Sequence, residues 1–477
     1  MVSTATIKGI QDIMRQDAGV DGDAQRISQL VWLLFLKIFD DKEKEYELMN
    51  KKYKSPLKED LRWRNWAAPD EGITGDELLD FVNNKLFKEL KSMNIDPDQN
   101  PKGYLIQKVF EDAYNYMKSG TLLRQVINKI EGDIDFNRAE DRHLFNDIYE
   151  KILKDLQNAG NAGEYYTPRP VTQFMVNMIN SKLGEKILDP ACGTGGFLTC
   201  SIEHLKKQEK NLDDRTLWQK NIFGVEKKPL PHLLCVTNMI LHGIETPNNI
   251  RRNNMLTRPL REYRAKDKVD VIVTNPPFGG VEEDGVELNF PASYRTKETA
   301  DLFLLLIMQL LKSGGRAAVV LPDGTLFGEG VKTRIKEKLI NDCNLHTIVR
   351  LPNGVFSPYT GIKTNLLFFE KGSSTKNIWF FDHPLPKERK GRPYTKINPI
   401  KYKEFELEKK WWNKRKVNEH AWKVSVKEIV SKGFNLDVKN PSRGAEKENL
   451  SSKDVLERLE KSLESSKKLV EKIKRDI

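Results

Sequence analysis

Cysteine and long apolar stretches are both scarce in this chain of 477 residues. The four cysteines are Cys192, Cys200, Cys235 and Cys343. Their wide spacing forms neither a disulfide framework nor a CxxC zinc-ligand pair, so we expect no metal site. The longest apolar runs, Leu30–Leu36 and Leu302–Met308, end far short of the roughly 18 residues that a membrane helix needs. These absences predict a soluble protein.

The N-terminal segment also lacks the basic stretch and apolar core of a secretory signal, which predicts a cytoplasmic location. An excess of acidic residues is missing as well, because 79 Lys and Arg outnumber 68 Asp and Glu and give a net charge of +11 at pH 7. A basic chain points weakly to a polyanionic partner such as nucleic acid. Many soluble proteins are mildly basic without binding one, so charge alone decides nothing.

The length predicts two to four domains, at roughly 100–200 residues per domain. Helical spacing of apolar residues dominates the first third of the chain, whereas after the segment NAGNAGE short apolar runs alternate with helical stretches, which is typical of a mostly parallel sheet covered by helices. The expected strands are 186–190, 221–227, 269–277, 316–322, 346–352 and 364–372, within an α/β core from Thr167 to Gly372. The predicted domains are a helical N-terminal domain (1–161), an α/β domain (162–385), a basic and aromatic extension (386–440), and a linker with a C-terminal helix (441–477).

Two features lie beyond the predicted α/β core. Residues 386–416 hold twelve Lys and Arg against four Glu, with five aromatic residues interleaved. This segment either contacts nucleic-acid backbone or forms a partly packed extension. Apolar residues from Leu456 to Ile477 follow heptad spacing over three heptads, with only Ser466 breaking the pattern. Such a narrow seam predicts a helix that packs either on a partner's helix or on its own domain.

The strongest local signal is Asn275-Pro276-Pro277-Phe278, directly after the apolar segment VDVIVT. Consecutive prolines fix the backbone and remove two N–H donors at the carboxyl end of a strand, where open α/β sheets place their sites. The Asn275 side-chain oxygen and the Pro276 carbonyl can then accept both hydrogens of an aromatic amine, while Phe278 stacks on its ring. The alternative interpretation is a tight turn without chemistry.

A second signal is the glycine-rich segment DPACGTGGF, residues 189–197, between the first predicted strand and a helix. Glycines in such a turn let a ligand lie against the backbone, and the helix N-terminus offers N–H groups to an anionic group. The segment is not a dinucleotide fingerprint, because Leu198 stands where GxGxxG requires a third glycine, and the chain contains no P-loop. Glu226, at the end of the next strand, suits a ribose-binding role, although most acidic residues at strand ends are simply solvated.

Together these segments resemble the amino-methyltransferases that use S-adenosylmethionine, and more closely the modification subunits of type I restriction-modification systems. The resemblance covers most of the chain and is carried by FLKIFDD, GEYYTPRPV, DPACGTGGF, VTNPPFG, LKSGGRAAVVLPDGTLF and LPNGVFSPYTGIKTNLLFFEKG. It implies a Rossmann-like, mostly parallel, doubly wound α/β sheet in the methyltransferase domain, residues 162–385, with an all-helical N-terminal domain and a C-terminal helical extension.

The resemblance also assigns ligands to residues. It implies that Asn275, Pro276, Pro277 and Phe278 hold the target adenine, with Phe356 or Tyr359 as an opposite stacking face. The residues implied for S-adenosyl-L-methionine are Glu164, Tyr165, Tyr166, Thr167, Pro168, Arg169, Asp189, Gly193, Thr194, Gly195, Gly196, Phe197, Glu226 and Asn254. Asn254 departs from the family pattern, because many relatives have an acidic residue near the adenine of the cofactor where this chain reads RRNNML.

The motif also indicates which base is methylated. Asn-Pro-Pro-Phe favours adenine N6 over cytosine N4, where the family more often begins with Ser. Methylation at cytosine C5 needs a cysteine nucleophile, typically in a Pro-Cys pair, and the chain has no such pair. Two alternatives stay open: a protein-glutamine N-methyltransferase, which shares the Asn-Pro-Pro-aromatic motif but is usually shorter, and a non-catalytic scaffold that has kept the fold.

The chain shows no helix-turn-helix or zinc-finger signature that would read bases. We therefore expect another chain to recognise the DNA sequence. The resemblance implies double-stranded DNA as the substrate, a specificity subunit as the partner, two modification subunits per complex, and a restriction subunit that joins for cleavage.

Overall fold

The computed structural model describes residues 4–93, 95–134, 167–278, 280–357, 360–389 and 391–441, together with residues 460 and 464. Its N-terminal part is helical, which confirms that expectation. The helices there are α1 Thr4–Met14, α2 Asp23–Met49, α3 Trp63–Trp66, α4 Gly75–Asp80, α5 Phe87–Ser92, α6 Pro101–Phe110 and α7 Gly120–Asp133, with a π-helical stretch, Phe81–Leu86, between α4 and α5.

Helix α2 is the centre of the helical domain. Every residue from Gln29 to Asp41 is buried, as expected for a helix that is apolar on nearly all sides. Its charged residues are paired: Lys37 lies 3.2 Å from Asp41 and 3.0 Å from Glu131 on α7. The segment FLKIFDD is therefore a buried ion network that fastens the helices of this domain.

Nine strands form one sheet in the described part of the chain. The strands are β1 Ile187–Asp189, β2 Ile222–Glu226, β3 Ile250–Arg252, β4 Val269–Thr274, β5 Leu311–Pro322, β6 Cys343–Arg350, β7 Thr364–Lys371, β8 Asn377–Asp382 and β9 Ala421–Ser425. Their spatial order is β3-β2-β1-β4-β5-β7-β6-β8-β9. Five of the eight neighbouring pairs are parallel, and β7 runs antiparallel to both β5 and β6. The mostly parallel doubly wound sheet is confirmed.

The strand order reverses beside β1. The chain proceeds outward from β1 to β2 and β3, and then returns to the other side of β1 with β4 and β5. In open α/β sheets, the carboxyl ends of the strands at such a reversal border a crevice that binds ligands. The loops after β1, β2 and β4 therefore meet at one place.

Nine further helices lie in the described part of the α/β region. They are α8 Arg169–Ile179, α9 Gly196–Lys206, α10 Leu212–Lys220, α11 Pro229–Leu241, α12 Thr299–Leu310, α13 Asp323–Phe327, α14 Val331–Asp342, α15 Glu406–Trp412 and α16 Val426–Ser431. No helix among the described residues has both the length and the apolar character needed to cross a bilayer.

The sheet extends further than the sequence predicted. The expected end of the α/β core at Gly372 is wrong, because β8 pairs parallel with β6 and β9 pairs antiparallel with β8. Strand β3 was not expected either, since only Ile250 of its three residues is buried and it therefore lacks an apolar run. The domain boundaries at 161, 385 and 440 stay predictions.

The aromatic residues of segment 386–416 pack inward. Tyr394, Phe405 and Trp411 are buried, and the Phe405 ring stacks on Phe174 of α8 with ring centroids 4.4 Å apart. Buried rings are not available to stack on bases, so the packed alternative is favoured for this segment. The predicted C-terminal helix, Leu456 to Ile477, lies outside the described residues apart from residues 460 and 464.

The helical domain rests against the β3 side of the sheet. Helix α2 packs on α11, and the Asn248 side-chain amide donates to the Pro101 carbonyl of α6 at 3.1 Å. Arg252, at the end of β3, forms an ion pair with Asp112. These contacts join the helical domain to α11 and to both ends of β3.

Candidate active site

The turn after β1 begins with a buried carboxyl group. Asp189 is only 1% exposed and accepts hydrogen bonds from the Thr274 hydroxyl at 2.6 Å and from the Ala191 N–H at 3.2 Å. Burial raises the pKa of Asp189 to about 7, although both hydrogen bonds lower it. The Thr274 bond joins the ends of β1 and β4, so it fastens the two predicted ligand-binding loops to each other.

The glycine turn requires left-handed backbone at two positions. Gly193 has φ +52° and Gly195 has φ +87°, a region that glycine adopts without steric cost. A Cβ on Gly195 would lie 2.9 Å from the Cys235 sulfur on α11, whereas a Cβ on Gly193 would meet no atom within 4 Å. The open space above Gly193 is the part of the turn that a ligand can occupy.

Helix α9 starts at Gly196, directly after the turn, and Phe197 is buried in the core. The Thr194 carbonyl accepts a hydrogen bond from the Asn238 side chain of α11 at 3.2 Å. Helix α11 thus holds the glycine turn in place through this hydrogen bond.

Glu226 at the end of β2 is held in place by backbone N–H groups. Gly193 donates to its Oε2 at 2.9 Å, and Lys228 donates to its Oε1 at 2.7 Å. The carboxylate is half-buried and fixed, in contrast to the freely solvated side chain of the alternative interpretation. It can accept hydrogen bonds from a diol.

The segment Asn275–Phe278 follows β4 without a break. The Asn275 Nδ2 donates to the Thr167 hydroxyl at 2.9 Å. Because the two polar atoms of an amide point in opposite directions, this bond turns the Asn275 Oδ1 away from Thr167. The structure therefore brings together two predicted segments, and Thr167 orients the predicted acceptor.

Phe278 meets Phe356 at the other end of the motif. Both rings are buried, with centroids 6.4 Å apart and planes at 77°. The rings touch edge to face, so a base can enter between them only if one ring turns. Tyr359, the other predicted stacking residue, lies outside the described residues.

Only some of the remaining predicted residues fall within the described part of the chain. Glu164, Tyr165 and Tyr166 lie outside the described residues. Pro168 precedes α8, and Arg169 donates to the Thr199 hydroxyl at 2.9 Å and pairs with Glu203 at 2.7 Å, both on α9. The Arg169 guanidinium thus ties α8 to α9.

Asn254 caps a short 3₁₀ helix, Met255–Thr257, after β3. Its Oδ1 accepts the Leu256 N–H at 3.0 Å, and its Nδ2 donates to Glu282 at 3.0 Å. Sequence reasoning found Asn254 but missed Glu282 and Thr274. The only signal for Thr274 is its place as the polar last residue of a buried strand, and Glu282 could be found only from its contact with Asn254.

The described residues contain no group of three or more His, Cys, Asp and Glu side chains that could hold a metal ion. All four cysteines are buried, and none of them forms a disulfide. The polar groups at this edge include the Asn275 amide, the hydroxyls of Thr167 and Thr274, backbone N–H groups, and the carboxyl groups of Asp189 and Glu226.

Comparison with known proteins identifies the family. Residues 140–449 match the family model described as N-6 DNA Methylase, and residues 4–130 match the model of the HsdM N-terminal domain. The chain is 60% identical to the EcoEI methylase subunit of a type I restriction enzyme from Escherichia coli, over 93% of this chain and 91% of that protein. The chain belongs to the type I methylase subunits of the N-6 DNA methylase family.

Solved structures agree with this family. The modification subunit of a type I restriction enzyme from Vibrio vulnificus YJ016 superposes with a TM-score of 0.83 at 45% identity, covering 93% of this chain and 98% of that one. A chain from a type I restriction-modification system, solved to study complex assembly, gives 0.79 at 35% identity and covers 98% of this chain and 97% of that one. The type I methylase subunits are adenine-specific DNA methyltransferases, so the protein-glutamine and scaffold alternatives are not favoured.

Proposed function

We propose that this methylase subunit transfers a methyl group from S-adenosyl-L-methionine to N6 of an adenine flipped out of double-stranded DNA. The observation that carries the proposal is the hydrogen bond between Thr274 and Asp189. It fastens the loop after β4 to the loop after β1, so a cofactor on one loop and a base on the other meet at one edge. Proximity of this kind can supply much of the rate enhancement.

The residues of the turn suit the cofactor. Gly193 leaves open space beside the backbone, and Glu226 offers a fixed carboxylate to a ribose diol. Asp189, at the same edge, supplies a carboxyl group near a positively charged ligand. S-adenosyl-L-methionine supplies an electrophilic methyl group on a cationic sulfur, so the protein has to position the nucleophile and needs no metal.

The target side of the site acts on the adenine amine. Its nitrogen is a poor nucleophile because the lone pair is delocalised into the ring. When the Asn275 Oδ1 and the Pro276 carbonyl accept hydrogen bonds from its two N–H groups, the nitrogen becomes pyramidal and directs its lone pair at the methyl carbon. The N–C bond would form as the S–C bond breaks, and the methylated nitrogen would then release one proton to water. Thr167 holds the Asn275 amide in the orientation that this step requires.

Substitution of Asn275 tests the proposal. Asn275→Ala removes one preorganised acceptor, so methylation should fall by about 10²–10³-fold while binding of S-adenosylhomocysteine stays near wild type. Asn275→Asp keeps an acceptor oxygen and a bond with Thr167, and should retain more activity than the alanine variant. Single-turnover methylation of an adenine-containing duplex and calorimetry measure the two quantities. Wild-type turnover of Asn275→Ala would refute the role of the motif.

The proposal includes partners. A specificity subunit would read the DNA sequence, two modification subunits would join it, and a restriction subunit would add cleavage, in the cytoplasm where the DNA lies. The heptad seam from Leu456 to Ile477 supports a helical contact with the specificity subunit, because an isolated amphipathic helix of this length is marginal in water.

Truncation tests this partnership. Deletion of residues 454–477 should leave S-adenosylhomocysteine binding intact, weaken co-purification with the specificity subunit and abolish site-specific methylation. A truncated chain that still assembled and methylated its site normally would overturn the partner-helix proposal. Methylation of one defined site by the full chain alone would do the same.

A further inference from the structure

The loops after β3 and β4 are joined to each other by side-chain hydrogen bonds. Asn254, after β3, donates to the Glu282 Oε2 at 3.0 Å, and Asn289 donates to the Leu256 carbonyl at 3.0 Å. The β4 loop is itself anchored, since the Thr299 hydroxyl at the start of α12 donates to the Gly280 carbonyl at 2.9 Å. Glu282 is therefore held beside the loop after β3.

The order of the strands shows which part of the cofactor would lie there. With the amino-acid part at the turn after β1 and the ribose at Glu226 on β2, the purine extends outward to the next strand, β3. The loops after β2 and β3 are in direct contact, because the Asn253 N–H donates to the Glu226 carbonyl at 2.9 Å. The purine would thus lie beside Asn254.

Asn254 is poorly placed to receive the purine amine. Its Oδ1 already accepts the Leu256 N–H as the cap of the 3₁₀ helix, and its Nδ2 is a donor committed to Glu282. The exocyclic amine of adenine is a donor and needs an acceptor. A carboxylate is the stronger acceptor, because hydrogen bonds to ionised groups are roughly twice as strong as neutral ones.

Glu282 has the geometry for this contact. Its side chain is 11% exposed, and Lys227 lies 3.4 Å from its Oε2. Within the described part of the chain, the contacts from Asn254 and Lys227 both use Oε2, so Oε1 can accept from a ligand. Lys227 follows Glu226 directly, which brings the carboxylate next to the ribose end of the site.

We propose that Glu282, from the loop that carries the target motif, accepts a hydrogen bond from the exocyclic amine of the cofactor's purine. This inference rests on the cofactor site proposed above. It assigns to Glu282 the recognition of an adenine rather than a hypoxanthine base. It also couples cofactor binding to the loop that follows Phe278.

The test compares two cofactor analogues on the full chain. S-adenosylhomocysteine carries the amine, whereas S-inosylhomocysteine carries a carbonyl at the same position and would face the carboxylate with an acceptor. Wild type should bind the adenosyl compound more tightly, by at least about tenfold, which is the size of one charge-assisted hydrogen bond. Glu282→Gln keeps the side-chain shape and an acceptor for Asn254, and its amide can donate to the inosyl carbonyl.

Calorimetry should therefore show that Glu282→Gln weakens adenosyl binding by about tenfold and removes most of the preference between the two analogues. The matched control is Glu283→Gln, because Glu283 also pairs with Lys227, at 3.0 Å, but is 77% exposed. It should keep the wild-type preference.

An unchanged preference in Glu282→Gln, or an equal loss of affinity for both analogues, would overturn the role of Glu282 while leaving the cofactor site standing. A wild-type chain that bound neither analogue would instead refute the cofactor site itself and this inference with it.

Discussion

Two regions of the molecule bury carboxyl groups in different ways. In the helical domain, Asp41 is paired with Lys37 at 3.2 Å and with Lys44 at 3.2 Å. At the sheet edge, Asp189 is held by a hydroxyl and one N–H group, and Glu226 by two backbone N–H groups. Hydroxyl and N–H dipoles hold the two carboxyl groups of the site, whereas two lysine cations balance the charge of Asp41 in the helical domain.

The difference separates a structural network from a binding site. A buried carboxylate paired with a cation presents little field to a ligand, and removing its partner is costly because an uncompensated charge stays buried. A carboxyl group fixed by dipoles has no neighbouring cation to neutralise its ionised form, so that form can attract a cationic ligand. Substitutions in the first region should therefore change stability, and those in the second should change binding.

The largest expected effect is on stability. Lys37→Met leaves Asp41 and Glu131 without their shared cation, which should lower the free energy of unfolding by about 3 kcal/mol, the lower end for a broken buried pair because Lys44 remains. Urea denaturation measures this loss. Binding of S-adenosylhomocysteine by the folded variant should match wild type.

The control for Lys37 is Lys129→Met in the same domain. Lys129 pairs with Asp133 at 3.0 Å with the same spacing of four residues, but both side chains are about one third exposed. Its loss should cost less than about 0.5 kcal/mol. If the two variants lost the same unfolding free energy, the buried ion pairs of the FLKIFDD segment would contribute no more to stability than exposed ion pairs do.

The next prediction concerns the glycine turn. There, one substitution should mainly lower the stability of the fold and another should mainly lower ligand affinity. Gly195→Ala places a Cβ 2.9 Å from the Cys235 sulfur at φ +87°, so it should destabilise the fold by about 2–3 kcal/mol. Gly193→Ala meets no atom and should cost only about 1–2 kcal/mol for its left-handed backbone. The methyl group of Gly193→Ala enters the space proposed for the cofactor. For the same loss of folding free energy, this variant should therefore lose more affinity for S-adenosylhomocysteine than Gly195→Ala.

Urea denaturation and calorimetry on both variants decide this prediction. If Gly195→Ala showed the greater loss of affinity at a matched loss of stability, the open space above Gly193 would not be the cofactor site.

Sequence predicted six of the nine strands, because each of the six is an apolar run that ends near Gly, Pro or a charged residue. It missed β3, in which Arg251 and Arg252 are exposed, and β8 and β9, which flank a segment dominated by lysine and arginine. These strands exist because of pairing with neighbours that are distant in sequence. Strand β8 does carry the apolar run Ile378–Phe381, but its sequence does not show which strands it pairs with.

The candidate site also has parts that the sequence predicts and parts that it does not. The two motifs could be predicted because each follows a buried strand, and the carboxyl ends of parallel strands share an edge. The hydrogen bonds that position these motifs could not be predicted, because their partners are far apart in sequence. Thr274 and Asp189 are separated by 85 residues, and Asn275 and Thr167 by 108. Such contacts depend on the reversal of strand order at β1, which sets which loops meet.

The last two predictions concern the proton on Asp189, whose effect on stability depends on pH. Burial raises its pKa to about 7 from 3.8, so between about pH 4 and pH 7 the folded chain holds a proton that the unfolded chain has released. Stability is therefore lost as pH rises through this window, by at most about 1.4 kcal/mol per pH unit. Asp189→Asn keeps an acceptor for Thr274 but has no proton to lose. Urea denaturation at pH 5 and pH 7 should show wild type losing stability relative to this variant, and parallel losses would contradict the raised pKa.

The same proton sharpens the contrast between the two regions. A cationic ligand near Asp189 favours the ionised carboxylate and lowers its pKa. Binding of S-adenosyl-L-methionine at pH 7 should therefore release a fraction of a proton from wild type, whereas S-adenosylhomocysteine, whose sulfur is neutral, should release less. Calorimetry in two buffers of different ionisation enthalpy measures the release. Asp189→Asn should abolish the difference between the two ligands, and Lys37→Met should leave it intact, since the helical network lies outside the field of the ligand.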